Sequence, residues 1–370
     1  MAELTNKIHN RIIAIDWMRG IVMILMALDH ASGFFNEGRL FTDSILLYDR
    51  GNVLAVDQFM TRWITHICAP TFIFLTGASM AISNVKRLSQ GMLQTTVNRE
   101  FLIRGVIIML LDLCVLSLAS GKPVLQVLYA IGVSMIIMVW LRHLRIWTVL
   151  ILSTVILTGA ELLLSATWHP ENETPLWLAL TFAPVFTDAY SVLYPVIPWL
   201  SIMMLGWVFG KWSISVSQCP HLTKRVLLIC GCVALLLFVI IRGLDGYGNM
   251  FMLLNDNSII HWLHVSKYPP SLSYILLELG LMAIILSALI WLEPIVGVRY
   301  NGFITVFGQT ALFFYLIHFA VLAVLSLIFE QGGLEMAYLM AILTLMILYP
   351  ICRVYRMLKW RNPQSILRFI

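Results

Sequence analysis

Charged residues are scarce in this sequence. Its 370 residues include 24 Lys and Arg and 19 Asp and Glu, which together make up 12% of the chain, whereas 60% are hydrophobic. Soluble domains carry about 25% charged residues, so the composition excludes a soluble protein of ordinary type. Apolar runs of about 20 residues recur to the C-terminus, and a helix of that length crosses a bilayer. The sequence therefore predicts an all-α, polytopic membrane helix bundle.

The sequence also lacks the patterns of a disulfide or zinc protein. Its six cysteines, at positions 68, 114, 219, 230, 232 and 352, form no C-x-x-C motif and no paired loop spacing, so no metal is expected. The first apolar stretch has no small-residue cleavage site, which favours a retained span over a removed signal peptide. No low-complexity linker or clear internal repeat divides the chain. We expect one transmembrane domain over residues 1–370.

The apolar segments number about ten. They cover residues 11–33, 60–83, 103–120, 124–141, 146–166, 192–212, 225–242, 272–292, 303–329 and 335–356. Each is long enough, or nearly so, to span the hydrocarbon core as a tilted helix. Three longer loops, 34–59, 167–191 and 243–271, fall on one side of the membrane in this arrangement.

Seventeen of the 24 Lys and Arg residues fall on the side opposite to the three longer loops. They are Lys7, Arg11, Lys86, Arg87, Arg99, Arg104, Arg142, Arg145, Lys211, Lys224, Arg225, Arg299, Arg353, Arg356, Lys359, Arg361 and Arg368. The positive-inside rule makes this side, and with it both termini, cytoplasmic. A basic rim facing lipid headgroups explains the net charge of +5, so no nucleic-acid partner is expected.

The first span contains four ionisable residues, Asp16, Arg19, Asp29 and His30. At about 100° per residue, Asp16, Arg19 and His30 share one face of the helix, and Asp29 lies about 100° from His30. Arg19 and His30 are about 16 Å apart along the axis. Ionisable groups inside a membrane usually face a bundle interior or a water-filled path. Mutual neutralisation of Asp16 and Arg19 near the interface is the structural alternative.

Three further segments carry polar groups of the same kind. Arg62 and His66 lie on one face of the second span, followed by Pro70, which predicts a broken helix with a free carbonyl. Lys267 and Tyr268 precede a Pro-Pro pair, and Ser271 stands at a helix start, a position that favours anions. A rigid loop is the alternative there.

The ninth span contains Tyr315 and His318, three residues apart and deep in the predicted bundle. Such a spacing places both side chains on one helix face. A core histidine that is hydrogen-bonded to a neighbouring helix is the structural alternative to a functional role.

The sequence resembles the heparan-alpha-glucosaminide N-acetyltransferase catalytic-domain family and its bacterial relatives, within the wider transmembrane acyltransferase group. The matching pieces are R-x-x-x-I-D-x-x-R-G-x-x-M-x-x-M-x-x-D-H at 11–30, R-W-x-T-H-x-x-A-P-T-F-x-F-L-x-G at 62–77, L-Q-V-L-Y-A-I-G at 125–132, Y-P-x-x-P-W at 194–199, K-Y-P-P-S-L at 267–272 and F-G-x-T-A-L-F-F-Y-L-x-H at 307–318. The six motifs run in order and cover nearly the whole chain.

The resemblance implies transfer of an acetyl or short acyl group from cytoplasmic acyl-CoA to an acceptor across the membrane, an amino sugar or glycan. It implies acetyl-CoA, or another acyl-CoA, as co-substrate. Asp16 and Arg19 match the D-x-x-R-G opening, Arg62 and His66 the second motif, and Lys267 with Ser271 the K-x-x-x-S-L element.

The chain departs from the animal branch of this family in one respect. That branch carries Asn at the position of His30 and a catalytic His after the first span, whereas this chain has no His between His30 and His66. His30 beside the carboxylate of Asp29 is the first candidate for the general base, since a histidine titrates near neutral pH. His66 and His318 are the alternatives.

The remaining site residues are divided between the two substrates. Arg62 and Lys267 are the two candidate donors to the oxyanion on the outer side, and we place His66 with Arg62 in the catalytic group. We assign Asp16, Arg19, Lys267, Tyr268, Ser271 and His318 to the binding of acyl-CoA.

A proton-coupled secondary transporter of a small solute is the rival function. Ten spans, Pro-broken helices and buried charges describe such carriers as well. The expected location is the bacterial inner membrane, with lipid as the surrounding partner and a homodimer as one assembly that the sequence allows.

Overall fold

The computed structural model describes residues 13–49, 51–117, 121–362, 365 and 367. Lys7, Arg11 and Arg368, three of the basic residues that the sequence places on the cytoplasmic side, lie outside the described residues. Most of the described chain is helical.

The helices are numbered here in chain order. They are α1 Ile13–Phe35, α2 Val56–Trp63, α3 Cys68–Ser89, α4 Gln94–Leu111, α5 Val127–Leu141, α6 Ile146–Thr167, α7 Leu176–Thr181, α8 Val196–Ser215, α9 Pro220–Gly243, α10 Ile259–Leu263, α11 Leu272–Val296, α12 Phe303–Gln309, α13 Ala311–Ser326 and α14 Leu334–Arg361. Within the described chain, every predicted apolar segment overlaps at least one of them.

Five helical segments are long and apolar enough to cross a membrane. They are Val56–Ser89, Ile146–Thr167, Pro220–Gly243, Leu272–Val296 and Leu334–Arg361, and the α12–α13 pair makes a sixth if it counts as one span. In an apolar stretch of 18 residues within each helix, only 28% of α6 and 22% of α9 is buried inside the protein. Most of their apolar surface is therefore free to face lipid. These helices identify an integral membrane protein.

The second span is interrupted just before Pro70, as the sequence predicts. Helix α2 ends at Trp63 and α3 begins at Cys68, so the break lies at residues 64–67. Pro70 has no backbone N–H to donate to the carbonyl of His66, four residues earlier, and this carbonyl accepts instead from the hydroxyl of Tyr274 at 3.0 Å. The predicted break with a free carbonyl is therefore confirmed, and it separates Arg62 from the long part of the span.

The ninth span is bent by 101° between α12 and α13, at Thr310. The sequence predicted one helix over 303–329, because both halves are equally apolar. The bend accompanies close docking of α12 on α1. A Cβ atom at Gly308 would collide with the carbonyl of Asp16, and one at Gly20 would collide with the carbonyl of Ile304. Helix α12 therefore lies against α1 with backbone touching backbone.

A small sheet departs from the all-α prediction. Strands β1 Val124–Leu125, β2 Val185–Phe186 and β3 Ser191–Val192 pair in the order β1-β3-β2, with β1 parallel and β2 antiparallel to β3. Strands of two residues leave no alternating pattern in the sequence. The sheet joins the start of α5 to the loop that precedes α8.

A π-helical turn, Asp112–Leu116, continues α4 and positions the start of α5. Oδ2 of Asp112 accepts hydrogen bonds from the backbone N–H groups of Gln126, at 2.6 Å, and Tyr129, at 3.0 Å. A carboxylate in this position satisfies N–H groups at a helix start and favours the positive end of its dipole. Gln126 and Val127 are thereby fixed at a cavity described below.

The core of the bundle surrounds α1 and α3. Helix α1 packs against α3, α11, α12, α13 and α14, and α3 packs most extensively against α8. Gly77 of α3 lies against the carbonyl of Met203, and Gly206 of α8 lies against the carbonyl of Phe74. These glycines allow the backbones of α3 and α8 to approach closely, as small residues commonly do between membrane helices.

Candidate functional site

Two adjoining cavities lie inside the bundle. The first, called the His30 cavity, is lined by Met26, Asp29, His30, Thr65, Cys68, Ala69, Phe72, Gln126, Val127, Tyr194, Lys267, Tyr268 and Tyr315. The second, called the Arg104 cavity, is lined by Phe72, Thr76, Arg104, Ile108, Val127, Leu128, Ile131, Ala311, Leu312 and Tyr315. Phe72, Val127 and Tyr315 belong to both walls, so the two cavities are neighbours along the bundle.

The His30 cavity brings together four of the predicted site residues: Asp29, His30, Lys267 and Tyr268. They come from the end of α1 and from the loop before α11, which are far apart in sequence. An imidazole, a carboxylate and an ammonium group therefore lie in the wall of one cavity.

His30 is paired with His318. Nδ1 of His30 and Nε2 of His318 are 2.6 Å apart, and the two rings are stacked with centroids 4.9 Å apart. Nε2 of His30 lies 4.0 Å from Oδ2 of Asp29, which is beyond hydrogen-bond length. The expected orientation of His30 by Asp29 is thus not what the structure has, since the direct partner of the imidazole is a second imidazole.

The carboxylate of Asp29 is instead held by three other residues. Its Oδ1 accepts from Nη2 of Arg39 at 3.0 Å, from Nη1 of Arg62 at 2.5 Å and from Oγ1 of Thr65 at 3.2 Å. Nη1 of Arg39 also donates to the backbone carbonyl of Asp29. The position of Asp29 is therefore set by two guanidinium groups.

A second carboxylate, Asp43, shares Arg62 with Asp29. Oδ2 of Asp43 accepts from Nε of Arg62 at 2.8 Å and also from its Nη2, and Oδ1 lies 3.1 Å from Nε2 of His66. Burial alone raises the pKa of Asp43, but Arg62 and His66 outweigh it and hold that pKa well below its usual range. Asp43 therefore stays ionised, and Arg62 lies between two anions.

Arg62 and His66 support the cavity without lining it. His66 is 1% exposed, and its Nδ1 has no hydrogen-bond partner within the described part of the chain. Its backbone carbonyl accepts from the hydroxyl of Tyr274 at 3.0 Å. Both predicted catalytic residues of the second span thus lie in the layer behind Asp29.

Sequence reasoning missed Arg39 and Asp43. Both lie in the loop after α1 and looked like ordinary loop charges. Neither has a spacing to Arg62 or His66 that a helix or strand period would show. The one available signal was the cost of burying Arg62, which requires anions nearby.

Lys267 reaches the His30 cavity through the same loop. The backbone N–H groups of Lys267 and Tyr268 both donate to the carbonyl of Asp43, at 2.9 and 3.1 Å. The Lys267 side chain is buried, and Nζ lies 5.3 Å from the centroid of the Tyr268 ring. Among the described residues, no carboxylate lies within ion-pair distance of this ammonium group.

His264 anchors the start of this segment. Nε2 of His264 donates to the carbonyl of Thr42 at 2.7 Å. Burial lowers the pKa of His264 to about 4, so the imidazole is neutral at physiological pH. The loop after α1 and the segment before α11 are thereby joined at both Thr42 and Asp43.

Ser271 has a structural position. Its Oγ accepts from the backbone N–H of Tyr274 at 3.0 Å, which makes it the N-cap of α11. The N–H of Ser273 donates to the carbonyl of Gly248 at 2.8 Å. Because these N–H groups are used and Ser271 is absent from the described lining of both cavities, the expected anion contact at this helix start has no support in the geometry.

Asp16 and Arg19 lie at the other end of α1. Nη1 of Arg19 is 3.2 Å from Oδ1 of Asp16, and Nη2 donates to the carbonyl of Leu75 at 3.3 Å and to Oγ of Ser79. Nε2 of Gln309 donates to Oδ2 of Asp16 at 3.3 Å. The pair joins α1 to α3 and α12, and neither residue appears in the described lining of the cavities.

Arg104 is the guanidinium group that does line a cavity at this end. Its guanidinium group lies close enough to those of Arg19 and Arg87 for electrostatic repulsion between like charges. Its Nε has no hydrogen-bond partner among the residues that the structure describes. The sequence counted Arg104 only among the basic residues of the cytoplasmic side, at the edge of the segment predicted over 103–120, whereas the helix begins at Gln94. Over the same described residues, no group of three or more His, Cys, Asp or Glu is arranged to hold a metal ion.

The fold and the cavities together define a helical membrane protein with ionisable groups around an internal space. The family model for heparan-alpha-glucosaminide N-acetyltransferase, catalytic, matches residues 11–242. The chain therefore belongs to this family, a family of membrane acetyltransferases. The match includes residues 16–66 of the site and ends before Lys267 and His318. No curated protein matches the chain.

Proposed function

We propose that this protein transfers an acetyl or other short acyl group from acyl-CoA on the cytoplasmic side to an amino sugar or glycan on the other side. The observation that carries the proposal is the adjacency of the two cavities, which share Phe72, Val127 and Tyr315. One cavity has a guanidinium group, Arg104, in its wall, and the other has an imidazole, His30. The Arg104 end can therefore bind the phosphates of the acyl donor, and the His30 end can take the proton that the acceptor substrate loses.

The proposed arrangement is one domain of ten membrane-crossing segments, residues 1–370, with both termini cytoplasmic and the bacterial inner membrane as its location. Support comes from a helix in every predicted segment and from the Lys and Arg bias of the short loops. Helix α1 is not one of the five helical segments that are long and apolar enough to cross a membrane, but it packs against five other helices. A charged helix at the centre of a bundle is sheltered from lipid.

In this arrangement the CoA phosphates lie at the Arg104 end. A guanidinium group is well suited to phosphate, since it presents several N–H donors in one plane. Arg104 is assisted there by Arg19, whose position the ion pair with Asp16 fixes. The pantetheine arm lies along the Arg104 cavity, whose wall is mostly apolar, and the thioester reaches the His30 cavity.

His30 is the proposed general base. The nitrogen of a neutral amino group attacks the thioester carbonyl and forms the new C–N bond, and His30 takes the proton that this nitrogen loses. The tetrahedral intermediate then breaks its C–S bond, and the CoA thiolate recovers a proton from the His30 imidazolium. The products are the N-acyl sugar and free CoA, and a hydroxyl acceptor reacts by the same steps.

Lys267 is the proposed donor to the oxyanion. Its ammonium side chain lies in the cavity wall, and the Asp43 carbonyl fixes the backbone from which it projects. A fixed cation near the carbonyl oxygen stabilises the negative charge that develops in the transition state. Arg62, His66 and Asp43 act behind this layer by holding Asp29 and the Lys267 segment in place.

The test is release of CoA by the purified protein in detergent, measured as free thiol, with acetyl-CoA and a panel of amino sugars. Acceptor-dependent thiol release is expected from the wild type, and His30→Ala should lower turnover by about 10²- to 10⁴-fold. His169→Ala, at an exposed histidine in the loop after α6, is the matched control and should keep full turnover. Transport of a solute without any thiol release would favour the carrier function and contradict the proposal.

A further inference from the structure

His318 is a core histidine hydrogen-bonded to a neighbouring helix, the structural alternative that the sequence offered for it. It was assigned to acyl-CoA binding, yet it is fully buried and absent from the described lining of both cavities. It lies between His30, which faces a cavity, and the backbone of its own helix. The bend at Thr310 directs α13 along α1 and brings these two histidines together, although they are 288 positions apart in the chain.

The hydrogen bonds of His318 determine which of its nitrogens carries the proton. Nδ1 of His318 lies 3.1 Å from the carbonyl oxygen of Phe314. A carbonyl oxygen only accepts, so Nδ1 must be the N–H group. In a neutral imidazole the other nitrogen, Nε2, then has a lone pair and accepts.

The same reasoning extends to His30. Nε2 of His318 is 2.6 Å from Nδ1 of His30, and since Nε2 accepts, Nδ1 of His30 must donate. The neutral His30 ring therefore has its lone pair on Nε2. The opposite tautomer would place two lone pairs against each other at this distance. The chain of donors thus runs from His30 through His318 to the carbonyl of Phe314.

We infer that His318 is a positioning residue, which fixes the Nδ1–H tautomer of His30 and leaves Nε2 as the atom that takes the proton from the acceptor. The inference rests on the proposed role of His30 as the base. When Nε2 of His30 takes that proton, its Nδ1–H remains hydrogen-bonded to His318, and no further proton has to move. An oriented partner on the second nitrogen is the usual way in which a catalytic imidazole is prepared.

Two further contacts limit the rotation of the His30 ring. Phe319 stacks on it with a centroid distance of 4.5 Å, and Tyr315 meets it edge-on at 6.2 Å. Asp29, the carboxylate near its other nitrogen, already accepts from Arg39, Arg62 and Thr65. Asp29 is therefore poorly placed to act as the orienting group, and His318 takes this role.

The pair is surrounded by charged and titratable groups from several elements. Asp29 lies on α1, Arg39 in the following loop, Arg62 on α2 and Tyr315 on α13, and Lys267 lines the same cavity. A pH profile of turnover reports on all of them together. The tautomer itself must therefore be read by a method that observes the ring nitrogens.

The experiment is ¹⁵N NMR of protein labelled at histidine, together with kinetics. The His30 signals are identified by their loss in His30→Gln. In the wild type, Nδ1 of His30 is expected to be protonated and Nε2 unprotonated at neutral pH. In His318→Phe, which removes the acceptor, a signal from protonated Nε2 should appear. In His318→Gln, whose side-chain carbonyl can accept from Nδ1, the wild-type pattern should persist.

The kinetic result should follow the tautomer. We expect kcat to fall by about 10- to 100-fold in His318→Phe, the range found when partners that orient a metal-bound imidazole are removed, with an unchanged KM for acetyl-CoA. His318→Gln should recover most of kcat, and His169→Phe, at an exposed site, is the control.

A wild-type His30 that is protonated on Nε2, or a His318→Phe variant with an unchanged pattern, would overturn the inference. The NMR result is independent of the reaction. If the proposed acyl transfer is absent, the tautomer assignment is still tested, so the two failures are distinguishable.

Discussion

Nε of Arg62 donates to Oδ2 of Asp43 at 2.8 Å and joins the loop after α1 to the start of the second span. Oδ1 of Asp43 also lies within hydrogen-bond distance of Nε2 of His66, and the backbone carbonyl of Asp43 accepts from the N–H of Lys267. Asp43 therefore connects three separate segments of the site. Neither residue lines the His30 cavity, but Arg62 contacts Asp29 and Asp43 contacts the backbone of Lys267, both of which do.

Asp43→Asn should destabilise the protein and reduce turnover. It removes one of the two anions around Arg62, and breaking a buried ion pair in this way costs about 3 kcal/mol. The measurement is thermal unfolding in detergent at neutral pH, with Asp49→Asn as control, since Asp49 is exposed in the same loop. Equal unfolding temperatures for the two variants would contradict the role given to Asp43.

The pH dependence of this effect has a definite sign. Since the pKa of Asp43 is held well below its usual range, its ionised form stabilises the folded state. That contribution is complete above the unfolded pKa of about 3.9 and is lost as the pH falls through the lower folded value. The stability difference between wild type and Asp43→Asn should therefore stay constant from pH 8 down to about 5 and shrink only in stronger acid.

Arg242→Lys should loosen the segment that carries Lys267. The guanidinium group of Arg242 is buried and donates to five oxygens in this segment, those of Asn249 Oδ1 and the carbonyls of Met252, His261, Trp262 and His264. An ammonium group has three donors, so at least two acceptors lose their partner, at about 1 to 3 kcal/mol each.

Limited proteolysis checks this expectation. Cleavage within residues 249–264 should be faster in Arg242→Lys than in the wild type. Arg225→Lys, near the other end of α9 and exposed, is the matched control and should be cleaved at the wild-type rate. Unchanged cleavage in Arg242→Lys would show that the segment is held by other contacts.

Arg104→Gln should weaken the binding of acetyl-CoA while leaving the fold intact. Loss of one charge-assisted hydrogen bond to phosphate, worth about 1.5 to 3 kcal/mol, raises Kd by about 10- to 100-fold. Isothermal calorimetry in detergent measures this directly. Arg99→Gln, one and a half turns earlier on α4 and exposed, should bind as the wild type does, and equal Kd values for all three proteins would remove Arg104 from the proposed CoA site.

The predictable part of this fold follows from composition. Apolar runs located a helix in every predicted segment. The bend at Thr310 was not predictable, because it accompanies the docking of Gly308 on α1 and the local sequence is apolar on both sides. Short strands near residues 124 and 191 were missed for a similar reason, since their pairing is non-local.

The sequence identified the residues of the site better than it identified their contact partners. Asp29, His30, Lys267 and Tyr268 were named from the sequence and line one cavity. The partners were not, since His30 and Asp29 are neighbours in sequence but bind His318 and Arg62 respectively. Helical geometry relates residues within one span, whereas these partners come from other elements, and an unaligned sequence carries no signal for such pairs.

The sidedness of the bundle is tested by fusions. A green fluorescent protein at the C-terminus should fluoresce and alkaline phosphatase there should be inactive, because we place the terminus in the cytoplasm. The same reporters in the loop after α6, near His169, should give the reverse result. Active phosphatase at the C-terminus would invert the proposed topology and place the Arg104 end on the wrong side for cytoplasmic acyl-CoA.

The most direct test of the central claim uses sealed proteoliposomes in which orientation has been determined. Acetyl-labelled acetyl-CoA is supplied only on the Arg104 side and an amino sugar only on the other side. Labelled N-acetyl sugar should accumulate on the acceptor side, with one CoA released on the donor side for each product formed, and His30→Ala should lower both rates by about 10²- to 10⁴-fold. Product that forms only when donor and acceptor share a side, or sugar that crosses the membrane without CoA release, would contradict the account.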